Sequence, residues 1–360
     1  MDPAKKILDF YKNKKIFITG HTGFKGAYLS KILCMAGAEV TGYSLEPPTT
    51  PSLFELAGIG REMNSVTGDV RDYNKLRKCF EATEPEIVFH LAAQPIVRVS
   101  YREPRLTYET NVMGTVNILE CIRESKTVRS FLNVTTDKVY LNEELYEAFK
   151  EDMPLDGYDP YSNSKSCSEL VTHSYKKSFF ADRETAISTA RAGNVIGGGD
   201  FAEDRIVPDC VRSAKEGRPI VLRNPDSIRP FQHVLEPLFI YMQIAKSQYE
   251  DPGSQGYYNV GPDIGDCISV GEIAEEFVQC WGDGMKVEIR PDGGPHEAKF
   301  LKLDCTKIKE TFGWKSVWDI RKAIRKCVDM SREYVRGGDI GKILERQIGE
   351  YIADSENKWR

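Results

Sequence analysis

A compact β-prone run, Lys15-Ile-Phe-Ile-Thr19, stops at Gly20-His-Thr-Gly23-Phe-Lys-Gly26, and the residues from Ala27 to Met35 then carry helical periodicity. Strand, glycine turn and helix in that order constrain the chain strongly. Glycines three apart let the backbone approach a diphosphate, while the helix start supplies unpaired N–H donors and the positive end of a dipole. A glycine triplet alone is a weak signal; its position at the start of the fold, between a strand and a helix, makes it a binding turn.

The same alternation continues. Ala38 to Tyr43 reads as a second strand, Ser65 to Asp72 as a third strand end, and Glu86-Ile-Val-Phe-His-Leu-Ala-Ala93 as a continuous apolar strand of the kind a parallel sheet buries on both faces. Arg129 to Thr136 and Ala186 to Ile196 are further strands, and 73–83, 107–123 and 161–180 are predicted helices. This predicts an α/β fold, a Rossmann-type doubly wound parallel sheet. After Gly197-Gly-Gly199 the rhythm breaks into a loop-rich segment. A helix over 234–248 and a strand over 257–261 return to the first domain, and 268–281 is an amphipathic helix. The predicted division is 14–197 plus about 234–262 for the dinucleotide-binding domain. A smaller, mixed C-terminal lobe takes 198–233 plus about 263–330, and 331–360 forms a helical extension.

Composition narrows the class. Among 360 residues, 41% are hydrophobic and 29% charged, and the net charge of −5 provides no general basic field for nucleic acid. No apolar run reaches the roughly 18 residues of a membrane span, and Met1 to Lys15 lacks a signal-peptide core. A soluble, cytoplasmic protein is expected. Nine scattered cysteines with no C-x-x-C pair argue against a disulfide framework and against a metal site.

The chemistry concentrates at two places. In Tyr158-Asp-Pro-Tyr-Ser-Asn-Ser-Lys165, Pro160 fits a first helical position, which puts Tyr161 and Lys165 one turn apart on one face. A neighbouring ammonium and the helix dipole both favour phenolate, so Tyr161 is expected to act as a base near neutral pH. The other place is Asp137-Lys138, where the strand ending in Val134-Thr-Thr136 runs out; ligands collect at the carboxyl ends of parallel strands. Neighbours in a regular strand point to opposite faces, so the chain must leave the pleat near residue 137 if both are to face one ligand. A simple ion pair between them would favour both charged forms. After the second strand stands Tyr43-Ser44-Leu45-Glu46, with no Arg or Lys to invite a 2′-phosphate, so NAD is expected over NADP. Asp69 is placed to meet the adenine, Asp72 to cap a helix, and His90 to sit in the core. The arginines between 200 and 232 suit phosphates, which guanidinium forks bind bidentately.

Together these motifs resemble the extended short-chain dehydrogenases/reductases, the NAD-dependent epimerases and dehydratases. Within them, Leu45-Glu-Pro-Pro-Thr-Thr-Pro-Ser-Leu-Phe54, Asp137-Lys138 and His296-Glu-Ala-Lys-Phe-Leu-Lys-Leu-Asp304 resemble the CDP-glucose 4,6-dehydratase branch. The resemblance covers residues 14 to about 330. It implies a lyase that oxidises a nucleotide sugar at C4, removes water across C5 and C6 and returns the hydride to C6. The products would feed deoxysugar synthesis. The implied catalytic set is Thr135, Thr136, Asp137 (acid), Lys138 (base), Tyr161 and Lys165. NAD would meet Gly20, Thr22, Gly23, Phe24, Lys25, Gly26, Asp69, Val70, Leu91, Ala92 and Ala93, with Tyr161 and Lys165. CDP-glucose or a similar nucleotide sugar would meet Gln94, Asn194, Arg205, Val207, Arg223, Arg229, His233, His296 and Glu297. The resemblance also implies a homodimer, or a tetramer, built by helices 107–123 and 161–180. A sugar-nucleotide 4-epimerase, which needs Tyr161 and Lys165 but no later acid and base, and a non-catalytic nucleotide-sugar-binding protein are the alternatives.

Overall fold

The computed structural model describes residues 3–143, 148–290 and 301–359. Seven strands form one parallel sheet: β1 (Lys15–Thr19), β2 (Glu39–Ser44), β3 (Asn64–Thr67), β4 (Ile87–His90), β5 (Ser130–Val134), β6 (Ala186–Ala192) and β7 (Tyr257–Val260). Their order across the sheet is β7-β6-β5-β4-β1-β2-β3, and every pairing is parallel. The order reverses beside β1, so a crevice opens at the strands' carboxyl ends. In β1 the period of two sends Ile16 and Ile18 into one core and Phe17 into the other. Helices therefore cover both faces, as the apolar strands require.

The expected strand over 186–196 divides. Gly193 lies against Pro230, where a Cβ would come within 2.7 Å of the ring, and Val195–Ile196 pairs with Gln232–His233 instead of continuing β6. The helix expected over 107–123 contains a π-helical turn at Glu109–Met113, with α-helix on either side at Pro104–Tyr108 and Gly114–Glu124. A third core gathers helices Ile206–Glu216, Val270–Trp281 and part of Ile320–Val335 around Ile220, Leu222 and Phe231. The last helix, Ile340–Lys358, packs on helix Pro3–Tyr11 and contributes Ile343, Leu344 and Tyr351 to the main core. Among the described residues no helix is long and apolar enough to cross a membrane.

Glu236, in helix Leu235–Glu250, ties that helix to the C-terminal segments of the main core. Its carboxylate accepts from the backbone N–H groups of Val317 (3.1 Å) and Trp318 (2.7 Å) and from the Tyr351 hydroxyl (2.9 Å). Burial nonetheless pushes its pKa up to about 7, against those hydrogen bonds. A folded pKa above the unfolded value means stability present below about pH 4.5 and lost as pH rises through 7. Buried His21, His90 and His233, drawn down to about 4, 3 and 3, act in the opposite sense, losing stability as pH falls. The difference between proteins isolates Glu236. The Tm of Glu236→Gln minus that of the wild type should increase from pH 5 to pH 8; a difference that is flat with pH refutes the assignment.

Candidate active site

Along the carboxyl edge of the sheet runs a cleft of about 1280 Å³, large enough for two extended ligands. Of the residues expected to bind a cofactor, Gly20, Thr22, Gly23, Phe24, Lys25, Gly26, Asp69, Val70, Leu91, Ala92, Ala93, Tyr161 and Lys165 all line it. The glycines have different tasks. At Gly20, with φ +79°, a Cβ would lie 2.7 Å from the Ala92 nitrogen, and at Gly26 it would lie 2.1 Å from the Gly20 carbonyl, so both are demanded by packing. At Gly23 the nearest atom would be 3.5 Å away: there the missing side chain leaves room in the cleft. Gly23 is also the N-cap of helix Phe24–Met35, and no side chain caps it. The first N–H groups of that helix are left for a ligand, which is the arrangement a diphosphate fits.

Neighbouring groups fix this turn to the sheet. Thr22 Oγ1 donates to the Leu45 carbonyl (2.9 Å) and bonds Ser44 Oγ (2.8 Å). On the cleft wall, Asp69 is oriented by Arg71, with Nη2 to Oδ2 at 2.6 Å, which holds its carboxyl below the usual range. Glu46, on the cleft wall just past β2, accepts from Thr67 Oγ1 at 2.9 Å.

At the cleft's centre, helix Pro160–Phe179 starts with Asp159 accepting from Ser162 N–H and with Pro160 at the first helical position. It presents Tyr161 and Lys165, both buried. Lys165 Nζ donates to the Val134 carbonyl (3.1 Å), and burial draws its pKa down to about 8. The expected low phenol pKa does not occur. Burial pushes Tyr161 up to about 12, although the hydrogen bond with Thr136 favours phenolate. The two threonines are also distinguished. Thr136 Oγ1 stays beside Tyr161 and donates to Asp137 Oδ1 (2.9 Å), whereas Thr135 Oγ1 turns away to Glu169 Oε1 (2.5 Å).

Past β5 the chain leaves the pleat in a 3-10 turn, Asp137–Val139, capped by the Thr136 hydroxyl, and this brings Asp137 and Lys138 to the same cleft. They form the ion pair, Lys138 Nζ to Asp137 Oδ1 at 2.9 Å, and Nζ also donates to Asn194 Oδ1 at 3.2 Å. Asp137 is only 1% exposed, and its Oδ2 has no hydrogen-bond partner among the described residues. Lys25 joins them as a cation crowded by Arg205, Lys165 and Lys138, and burial with those charges draws it down to about 7.

Gln94, Asn194, Arg205, Val207, Arg223 and Arg229 line the rest of the cleft. Gln94 is held from within: its N–H donates to Asn111 Oδ1 (2.8 Å) and its amide to Thr107 (2.9 Å). Asn111 occupies the π-turn and also donates to Ser164 (2.9 Å), next to Lys165. The spacing of the helix gave no sign of that turn, and Asn111 carried no expected role. His233 is a correction. It does not line the cleft; it is fully buried, its ring lies edge-on to Trp318 at 4.8 Å, and Nδ1 accepts from the Leu235 N–H. Its short strand feeds straight into helix Leu235–Glu250, which turns the side chain into the core. His296 and Glu297 lie outside the described residues. His90 is buried between Thr19 (2.7 Å) and Thr115 (3.3 Å).

Residues 17–327 match the family model described as GDP-mannose 4,6 dehydratase. A curated CDP-glucose 4,6-dehydratase of Salmonella typhimurium is 44% identical over 96% of this chain and 98% of its own. A dTDP-glucose 4,6-dehydratase of the same organism is 24% identical over 88% and 92%. Among solved structures, the epimerase Mth375 of Methanothermobacter thermautotrophicus superposes with a TM-score of 0.80 at 20% identity, covering 93% of this chain and 97% of that one. The dTDP-glucose 4,6-dehydratase of Bacillus anthracis, solved with NAD, gives 0.74 at 20% identity, covering 91% and 99%. Fold, cleft and relatives agree: the chain belongs to the GDP-mannose 4,6-dehydratase family, within the extended short-chain dehydrogenases/reductases.

Proposed function

We propose that this protein converts CDP-glucose to CDP-4-keto-6-deoxyglucose with bound NAD, by oxidation at C4, loss of water across C5 and C6, and reduction at C6. One observation carries it: Asp137 and Lys138 are paired at 2.9 Å beside Tyr161 and Thr136, and the buried Asp137 Oδ2 has no partner among the described residues. A 4-epimerase needs no such pair. The 44% identical relative supports the choice of CDP-glucose.

NAD, when bound, takes the C4 hydride and gives it back at C6. The glycine turn and the uncapped start of helix Phe24–Met35 would hold its diphosphate, and the Glu46 carboxylate disfavours a cofactor with an added 2′-phosphate. Tyr161 accepts the C4 hydroxyl proton, with Thr136 holding the oxygen and Lys165 supplying positive charge. The resulting 4-ketone acidifies the C5 proton. The observed ion pair is one proton transfer from what elimination requires. Passage of a proton from Lys138 Nζ to Asp137 along their hydrogen bond leaves a neutral amine and a carboxylic acid together. The C5–H bond then breaks towards Lys138, the C6–O bond breaks, and the hydroxyl leaves as water with the Asp137 proton. The ion pair is restored, and as C6 is reduced Lys138 returns a proton to C5. Arg205, Arg223, Arg229, Asn194 and Val207 would hold the CDP portion. Met113 and Leu170, 49% and 53% exposed on the two helices of the expected dimer face, support a homodimer.

CDP-glucose deuterated at C4 tests the reading: the product should lack one water and carry deuterium at C6. CDP-galactose formed without solvent exchange at C5 would sink it. The glycine assignments give a second check. Gly23→Ala should fold with a Tm near wild type yet bind NAD at least about tenfold more weakly, because the new methyl enters the cleft. Gly26→Ala should lower the Tm itself, since its methyl meets backbone. Equal Tm losses in the two variants would contradict the division of labour.

A further inference from the structure

Tyr161 and Lys165 continue, one turn on, into Glu169, and Glu169 has no part in the reaction above. It is fully buried on helix Pro160–Phe179 and is held below the cleft by three hydrogen bonds. Thr135 Oγ1 donates to Oε1 at 2.5 Å, while Thr189 Oγ1 (2.7 Å) and Arg191 Nη2 (3.0 Å) donate to Oε2; His173 Nε2 lies 3.3 Å from Oε2 without hydrogen-bonding to it. Arg191 is itself 0% exposed, within β6. Its other nitrogen, Nη1, donates to the Tyr140 hydroxyl and to the Glu151 carbonyl, each at 2.9 Å. The Tyr140 hydroxyl donates in turn to Asn259 Oδ1 at 2.5 Å, and its ring stacks on Phe149 at 4.9 Å.

A buried ion pair of this kind adds little net stability, because desolvating both charges offsets their attraction, and well-packed apolar residues often serve as well. Its value lies in fixing geometry. Thr135 is two residues before Asp137 and Tyr140 two after Lys138, so one ion pair grips both ends of the turn that carries the acid and the base. The turn itself is three residues of 3-10 helix outside the sheet ladder, also tied by Ser166 Oγ donating to the Val139 carbonyl at 2.7 Å.

We propose that Glu169 and Arg191 are positioning residues for the elimination: through Thr135 and Tyr140 they set the Asp137–Lys138 turn against C5 and C6 of the sugar. The inference rests on the dehydratase reading. C4 oxidation depends instead on Tyr161, Thr136 and Lys165, none of which hydrogen-bonds to Glu169 or Arg191; the Glu169 charge favours the Lys165 ammonium, and removing Arg191 together with it keeps the net charge around Lys165 unchanged. A displacement of about 1 Å in a reacting group can lower a rate about 10²-fold, which sets the expected effect on elimination.

The test uses the full-length Glu169→Gln/Arg191→Met variant, which removes both charges together and leaves neither one buried alone. Tyr140→Phe serves as a second variant that keeps the ring stack. Two rates are compared with wild type: appearance of reduced cofactor absorbance on mixing with CDP-glucose and NAD, and exchange of the C5 proton of CDP-4-keto-6-deoxyglucose in D2O, which needs no oxidation at C4. The expected result for the double variant is oxidation within about threefold of wild type, C5 exchange down about 10²-fold, and CDP-4-ketoglucose accumulating. Tyr140→Phe should show the same split at smaller size. C5 exchange at the wild-type rate in both variants, or equal falls in oxidation and exchange, as a general loss of structure would produce, overturns the clamp. A wild type that leaves CDP-glucose unchanged overturns the dehydratase reading instead, and the clamp's role with it.

Discussion

Tyr161→Phe should lower turnover of CDP-glucose by 10²- to 10⁴-fold, the usual range for removing a positioned acid–base group. The change deletes one oxygen from a ring already packed in the cleft wall, so binding of CDP-glucose and NAD should stay within a few-fold of wild type. All of the loss should fall on the C4 step. C5 exchange of the 4-keto product should survive, because that proton goes to Lys138. The pH dependence follows from the two buried groups. With the phenol up at about 12, the reactive phenolate grows as pH rises, and Lys165, with its pKa at about 8, keeps its favourable charge only below that pH. Wild-type C4 oxidation should therefore climb with pH and bend over near pH 8, and Lys165→Met should be slow with no such bend. A Tyr161→Phe variant that oxidises C4 at the wild-type rate would remove tyrosine from the mechanism.

The elements that sequence spacing exposes are those whose burial is uniform. β4 and β5 are apolar on both faces and read as strands without ambiguity, and the glycine turn announces itself because Gly20 and Gly26 cannot be anything else. The paired placement of Asp137 and Lys138 was legible too, since a regular strand could not present both. What stayed hidden depends on the tertiary fold. Glu169 and Arg191 are 22 positions apart, and a lone Glu on a helix or Arg in a strand ordinarily marks a solvated edge; only the packing of helix Pro160–Phe179 across β5 and β6 buries them together. The π-turn at Glu109–Met113 leaves the apolar spacing of its helix nearly unchanged, so Asn111 gave no signal. The phenol of Tyr161 was expected low because its neighbours are cationic. Desolvation, which no spacing reports, outweighs them.

Lys138→Met should separate oxidation from elimination more sharply than any other single change. The methionine keeps the length and most of the volume of the lysine, so the turn and its contact with Asn194's neighbourhood should persist while the base disappears. C4 oxidation should proceed, reduced cofactor should build up, and water loss and C5 exchange should each fall by about 10³-fold. Asp137→Asn probes the other half. Its amide cannot supply a proton to the departing C6 hydroxyl, but the Lys138 amine remains in place to take the C5 proton. The Asn variant should therefore retain C5 exchange of the ketone while losing net water loss. This asymmetry is the signature of an acid and a base that share a proton at rest and use it on opposite sides of one bond change. If the two variants lose exchange and water loss equally, the pair acts only as a fixed dipole, and the base that takes the C5 proton must be sought elsewhere in the cleft, with Lys25, which burial and its cationic neighbours draw down to about 7, one candidate.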